Sequence, residues 1–475
     1  MNDMKTSDVT RQSDDQGFVK FPHLCDVYDS GLNQASAAFA RRYMAYLDSS
    51  KTERDAVRST TALAEAAGFR ALETFTKLEA GDKVYANIKN KGFMMAVIGK
   101  KAVNEGFRIL GAHIDSPRLD LKPLPVQEDH ELVYFRTHYY GGIKKYQWTS
   151  LPLALHGVAF RQDGSQVDIE IGEKDDEPRF CVTDLLPHLG REQMTKNARE
   201  FISAEALNLV VGASPAGDEE TKLRFKKATL DYLEKTYQLR ERDLSSAEIS
   251  AVPAFHASFI GLDGMLIGAY GQDDKVCAYP AVQALLDVKN PAYTSVCLLS
   301  DKEEIGSEGN SGAKSRLYEN VLAEILLKQS GAFDDFSFRQ TLARSAMLSA
   351  DVTAAYDPMY SSVYDSTNVN YLGHGISLCK YTGSGGKYNA SDASAEFLST
   401  VCRLFDRRGV CWQTGEMGKI EAGGGGTIAR EFAVTGMDVL DCGVPVLSMH
   451  APFELTHRHD VYETYRAYIA FIEEF

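Results

Sequence analysis

No run in this chain approaches the roughly 18 consecutive apolar residues that a membrane-spanning helix needs. Cysteine is sparse: eight residues at 25, 181, 277, 297, 379, 402, 411 and 442, with no CxxC pair. Several lie inside apolar runs, so they read as buried free thiols of a reducing compartment and argue against a disulfide framework. Positive charge is in deficit: 51 Lys and Arg stand against 66 Asp and Glu, a net charge of -15. That argues against nucleic acid, because phosphate backbones need clustered cations. The first twenty residues, MNDMKTSDVTRQSDDQGFVK, are polar and have no apolar core of a secretion signal. A cytoplasmic enzyme or binding protein is expected, with no membrane and no nucleic-acid partner.

What is present fits a soluble globular chain. Hydrophobic residues make up 44% and charged residues 25%, ordinary values for that class. At 475 residues the chain exceeds what one small core organises, so two domains are expected.

Apolar residues at helical spacing over 32–48 predict a helix, and a second follows over about 52–67 with Ser50 or Thr52 as its N-cap. Strands are expected at 83–88, 93–98 and 108–112, the last ending at His113-Ile114-Asp115. From about 118 to 262 short strands punctuated by glycine take over, with one helix near 221–239, which reads as an inserted, strand-rich domain. The flanking parts, 1–117 and 263–475, then form the other domain. From 263 onward helices and strands alternate again: helix 276–288, strand 294–299, helix 312–329, strand 345–350, helix 391–407 and a strand-like run 444–449 ending at His450. Alternation of this kind predicts a mostly parallel sheet flanked by helices, an α/β fold.

Parallel sheets gather their strand ends at one edge, where α/β proteins bind ligands. Here the expected ends carry His113 and Asp115, Asp273, Glu303 and Glu304, Asp351 and His450. Each has an ordinary reading: a core histidine, a turn, a pair of solvated acids, a helix N-cap. Spacing alone does not choose among His450, His457 and His459. Together, imidazole and carboxylate make a set that suits Zn2+, and Mn2+ or Co2+ as well. Asp273, Glu304 and Asp351 supply three negative charges, which with one bridging hydroxide balance two divalent ions.

The segments GAHIDSPRLDLKP (111–123), GQDDKVCAYPAVQAL (271–285), LLSDKEEIGSEGNSGAKS (298–315), LSADVTAAYDP (348–358) and VPVLSMHAPFELTHRHDVYETY (444–465) resemble the M18 metallopeptidases, the aspartyl aminopeptidase family. That resemblance implies one zinc on His113 and Asp351, a second on Glu304 and His450, and Asp273 bridging them. It implies Glu303 as general base and acid, with Asp115 orienting His113. It implies a homo-oligomer, a dodecamer built from dimers whose contact is the inserted domain, and a histidine crossing a subunit boundary, for which His188 in Leu186-Pro187-His188-Leu189-Gly190 is the candidate. The reaction implied is removal of N-terminal residues, acidic ones by the family name, from peptides by metal-activated hydroxide. An acidic side chain needs a cation in its pocket, and Lys387 is the candidate. Other readings are a di-zinc aminopeptidase of neutral preference, a carboxypeptidase or N-acyl amino acid deacylase, and a catalytically idle assembly protein.

Overall fold

Phe107–His113, Thr294–Ser300 and Ala346–Ala350 are short, apolar and buried along their whole length. Strands of that kind need cover on both faces. In the computed structural model, which describes residues 19–475, they lie at the centre of a nine-stranded sheet. Thr294–Ser300, Phe107–His113, Ala346–Ala350 and Asp438–Gly443 run parallel to one another in that order. Gly92–Val97 and Ile376–Cys379 pair antiparallel to the two ends of this group.

Alternation along the strands divides the core in two. Leu110, Ala112, Cys297, Leu299 and Leu348 point to one side, where they pack with Phe39, Ala281, Phe405 and Phe471. Ile109, Val296, Leu298 and Met347 point to the other, against Leu322, Ile325, Phe338 and Phe432. The first layer is built by Ser30–Asp48, Gln272–Asp287, Ala395–Arg408 and Arg458–Glu474, the second by Arg316–Ser330, Asp335–Ala343 and Ala429–Ala433. Burying one Leu or Ile in such a layer contributes roughly 1.5–3 kcal/mol.

The chain divides into two compact units: residues 19–115, 257–449 and 453–475 form one, and 116–256 with 450–452 form the other. The second carries a seven-stranded sheet whose pairings are antiparallel. The first also holds a five-stranded sheet that includes Leu266–Ala269, Glu454–His457, Pro445–Leu447 and Thr353–Ala354.

Several boundaries have local causes. Thr52, not Ser50, caps the helix Glu53–Ala66: its side chain accepts from the Asp55 N–H while Asp55 bonds back to the cap. The helix expected over 312–329 starts at Arg316, because the Ser315 hydroxyl accepts from the Leu317 N–H and fixes the first turn there. The largest correction concerns the run 444–449. Only Pro445–Leu447 is a strand, and it belongs to the five-stranded sheet. The place expected for it in the main sheet is taken by Asp438–Gly443, whose two aspartates interrupt the apolar pattern that marks a buried strand. The expectation drawn from the first twenty residues lies, apart from positions 19 and 20, outside the described residues. Among the described residues no helix is long and apolar enough to cross a membrane.

Candidate active site

The parallel register determines which side chains meet. Ser300 lies opposite His113, and Ser349 opposite Gly111. Asp351 therefore leaves its strand level with His113, and Glu303 and Glu304 follow just beyond Ser300. Gly443 lets this edge close up: a Cβ there would sit 2.0 Å from the Asp351 carbonyl oxygen. Asp273 arrives by another route. It follows the strand Leu266–Ala269 and stands with Asp274 at the start of Gln272–Asp287, both with non-helical backbone angles, so the regular helix begins after them.

Asp115 organises the pocket. One of its carboxylate oxygens lies 3.2 Å from His113 Nδ1 and accepts the Glu303 backbone N–H at 3.1 Å. The other accepts the Glu304 N–H at 3.2 Å. Asp115 is fully buried and His113 nearly so. With Nδ1–H directed at the Asp115 carboxylate, Nε2 is the nitrogen that faces the acids. It stands 3.1 Å from Asp273 Oδ1 and 4.0 Å from Asp351 Oδ1.

Two overlapping ligand sets result. His113, Asp273 and Glu304 form one, and His113, Asp274 and Asp351 the other, with the ligand atoms of each set within 4.8 Å of one another. Glu303 belongs to neither. The electrostatics of the pocket fit divalent cations. Burial pushes the Asp351 carboxyl well above the usual range, and Asp274 adds to it. Burial does the same to Asp274, with His113 countering and Asp273 adding. Burial alone would lower the His113 ring, but its hydrogen bonds with Asp115 and Asp273 outweigh that and hold it well above its ordinary value. Asp274 Oδ1 is buried with no hydrogen-bond partner. Crowded, buried acids held above their usual range, together with an orphan carboxylate oxygen, are what metal ions relieve.

The remaining expected residues are in neither set. His450 lies with the second unit, where its Nδ1–H donates to the Gly142 carbonyl at 2.9 Å, which leaves the lone pair on Nε2. His188 sits exposed in a turn of that same unit. Lys387 is ion-paired to Asp392 at 3.0 Å and stacks over Tyr381. Lys380 holds the other Asp392 oxygen, so two cations share one carboxylate and the group keeps a net positive charge.

Two residues near the site escaped the reading of the sequence. Asp274 was not among the residues expected at the site, yet it joins a ligand set. Asp441 is buried in the strand Asp438–Gly443, opposite Ser349, and accepts the Thr427 hydroxyl at 2.6 Å. Burial pushes its carboxyl up to about 7, partly offset by that hydrogen bond. The signal available was an acid inside an otherwise apolar segment.

Comparison with known proteins points the same way. The family model described as aminopeptidase I zinc metalloprotease (M18) matches residues 46–472. A probable M18 family aminopeptidase 1 of Clostridium acetobutylicum is 44% identical over 95% of this chain and 98% of its own length. The crystal structure of an M18 family aminopeptidase from Thermotoga maritima superposes with a TM-score of 0.93 at 41% identity, covering 96% of this chain and 100% of that one. The S. cerevisiae mApe1 dodecamer shares the fold, with a TM-score of 0.75 at 21% identity over 93% of this chain and 97% of that one. The chain belongs to the M18 family of zinc metallopeptidases and is an aminopeptidase.

Proposed function

We propose that this aminopeptidase holds two zinc ions and removes N-terminal acidic residues from peptides. The observation that carries this is the pair of ligand sets sharing His113, with Glu303 beside them but in neither. His113 and Asp351 would hold one ion, Glu304 and His450 the other, and Asp273 would bridge. Asp273 is preferred to Asp274 as the bridge because His113 Nε2 faces Asp273 Oδ1 directly, at 3.1 Å. Mn2+ or Co2+ would suit the same donors. When bound, such a pair supplies Lewis-acid polarisation and lowers the pKa of a water to about 7.

The chain's own residues do the rest. Asp115 fixes the His113 ring and, through the Glu303 and Glu304 N–H groups, the backbone that presents both glutamates. Glu303 takes the proton of the attacking water as the new C–O bond forms and returns it to the departing amine. The second unit serves as the dimer contact of a dodecamer, the state named for the distant yeast structure. In that assembly His188 reaches the active site of a neighbouring subunit and donates to the developing oxyanion, as do backbone N–H groups of the loop 423–426.

Replacing His188 by Ala is expected to lower kcat by about 10²–10³-fold, the range for losing one oxyanion donor, with metal content and oligomer size unchanged. An unaltered kcat would remove His188 from the site.

Substrate choice rests on the net cation at Lys380, Lys387 and Asp392. On chromogenic Asp, Glu, Leu and Lys substrates, assayed together with metal content, the acidic pair should be cleaved fastest. Lys387→Ala should cost Asp and Glu substrates about tenfold in kcat/KM, the lower end of a charged hydrogen bond, and leave Leu unaffected. A uniform loss would dismiss Lys387. Preference for Leu would give the neutral specificity, and turnover confined to N-acyl or C-terminal substrates would overturn the aminopeptidase mechanism proposed here.

A further inference from the structure

Four of the chain's eleven histidines gather at a place that the peptidase chemistry does not use. The rings of His23 and His374 lie 5.2 Å apart, those of His23 and His457 5.8 Å, and those of His457 and His459 5.1 Å. His23 precedes the short helix Leu24–Val27, and His457 precedes the long helix Arg458–Glu474. Cys25 joins them with an exposed free thiol. One ligand atom from each of His23, Cys25 and His457 lies within 4.8 Å of the others.

Two imidazoles and a thiolate are donors of the type that holds zinc. Around a tetrahedral zinc with bonds of about 2.0–2.3 Å, donor atoms sit roughly 3.3–3.8 Å apart. The set therefore closes by about 1.5 Å at most, a movement in which the exposed Cys25 side chain can take part. Helix capping alone does not explain the cluster. His23 Nδ1 accepts the Cys25 N–H at 3.2 Å and His457 Nδ1 accepts the His459 N–H at 3.3 Å, both long for such bonds.

An unpartnered ring nitrogen beside the set favours a cation nearby. His459 donates from Nε2 to Asn33, and its Nδ1 is buried with no hydrogen-bond partner. Lone pairs thus outnumber the protons offered to them. The backbone is also shaped to the rings. Gly373 has φ +81°, and a Cβ there would lie 2.5 Å from His23 Nε2, so only glycine admits the imidazole. The Gly373 carbonyl in turn accepts the Leu24 N–H at 2.6 Å.

We propose that His23, Cys25 and His457 form a separate metal site, for Zn2+ or a similar borderline transition ion, that staples the segment at Leu24–Val27 to the N-terminus of Arg458–Glu474. The fourth position is left for water. The thiol proton leaves as the ion binds, driven by the ion's charge.

Cobalt substitution tests this in the full-length enzyme, because the proposed catalytic ligands include no thiol. Cobalt-loaded protein should show a near-ultraviolet thiolate-to-cobalt charge-transfer band. The band should vanish in Cys25→Ser and in His23→Ala and persist in Glu304→Ala. Each of the first two variants should carry one zinc per chain fewer by mass spectrometry and cleave peptides at the normal rate. No band in the unmodified enzyme, a band that survives Cys25→Ser, or equal zinc content in Cys25→Ser would overturn the proposal. Because Glu304→Ala removes a catalytic ligand only, failure of this site and failure of the peptidase site give different results.

Discussion

Glu303→Gln is expected to keep its metal ions and lose turnover by about 10²–10⁴-fold, the contribution of a positioned general base. The substitution preserves size and the backbone N–H that binds Asp115 at 3.1 Å. It removes only the ability to accept a proton. The acidic limb of the pH–rate profile should disappear with it, since that limb reports protonation of the base. KM should change little, because the ligand sets His113–Asp273–Glu304 and His113–Asp274–Asp351 do not include Glu303. Metal analysis alongside kcat checks both halves. Near-normal kcat would take Glu303 out of its role, and loss of metal would make it a ligand.

Glu304→Ala is expected to produce the opposite pattern: metal is lost and activity falls to the level of chelator-treated enzyme. The Glu304 carboxylate belongs to the set with His113 and Asp273, and its backbone N–H is already committed to Asp115. Removing the side chain leaves an open coordination position without disturbing that anchor. Asp351 and Asp274, whose carboxyls are held above the usual range mainly by burial, then lose part of the positive charge that offsets their own. Elemental analysis with activity across added zinc decides the matter. Full occupancy in this variant would contradict the ligand assignment. Adjacent glutamates that differ this sharply would show that neighbours at a strand end take separate tasks, one on the metal and one on the proton.

Much of the fold could be read from local pattern. The mainly apolar runs ending at His113, Ser300 and Ala350 match central strands, because strands covered on both faces are largely apolar. The helix expected from 276 matches the regular part of Gln272–Asp287, which begins after the non-helical Asp273 and Asp274. The reading failed where burial and polarity conflict. Asp438–Gly443 is a central-sheet strand containing Asp441, whose cost of burial is met partly by the Thr427 hydroxyl. No pattern along the chain anticipates a partner fourteen positions away. The run 444–449 was drawn toward the main sheet by its apolar content, but its pairing with Thr353–Ala354 and Glu454–His457 depends on chain path rather than composition.

The sequence by itself supplied the donor chemistry, a set of histidines and acids spread along the chain with a pair of adjacent glutamates among them. Only the tertiary structure decided which of them meet. Strand register levels Asp351 with His113, Asp115 ties both glutamates to one carboxylate, and Asp274 joins a ligand set that its position in the chain did not announce. The same holds for His23 and Cys25, which most of the chain separates from His457 and which meet it because two helix starts share one glycine-lined corner. Side-chain chemistry is a local property of the chain. Proximity follows from hydrogen-bond register and packing, which couple residues hundreds of positions apart.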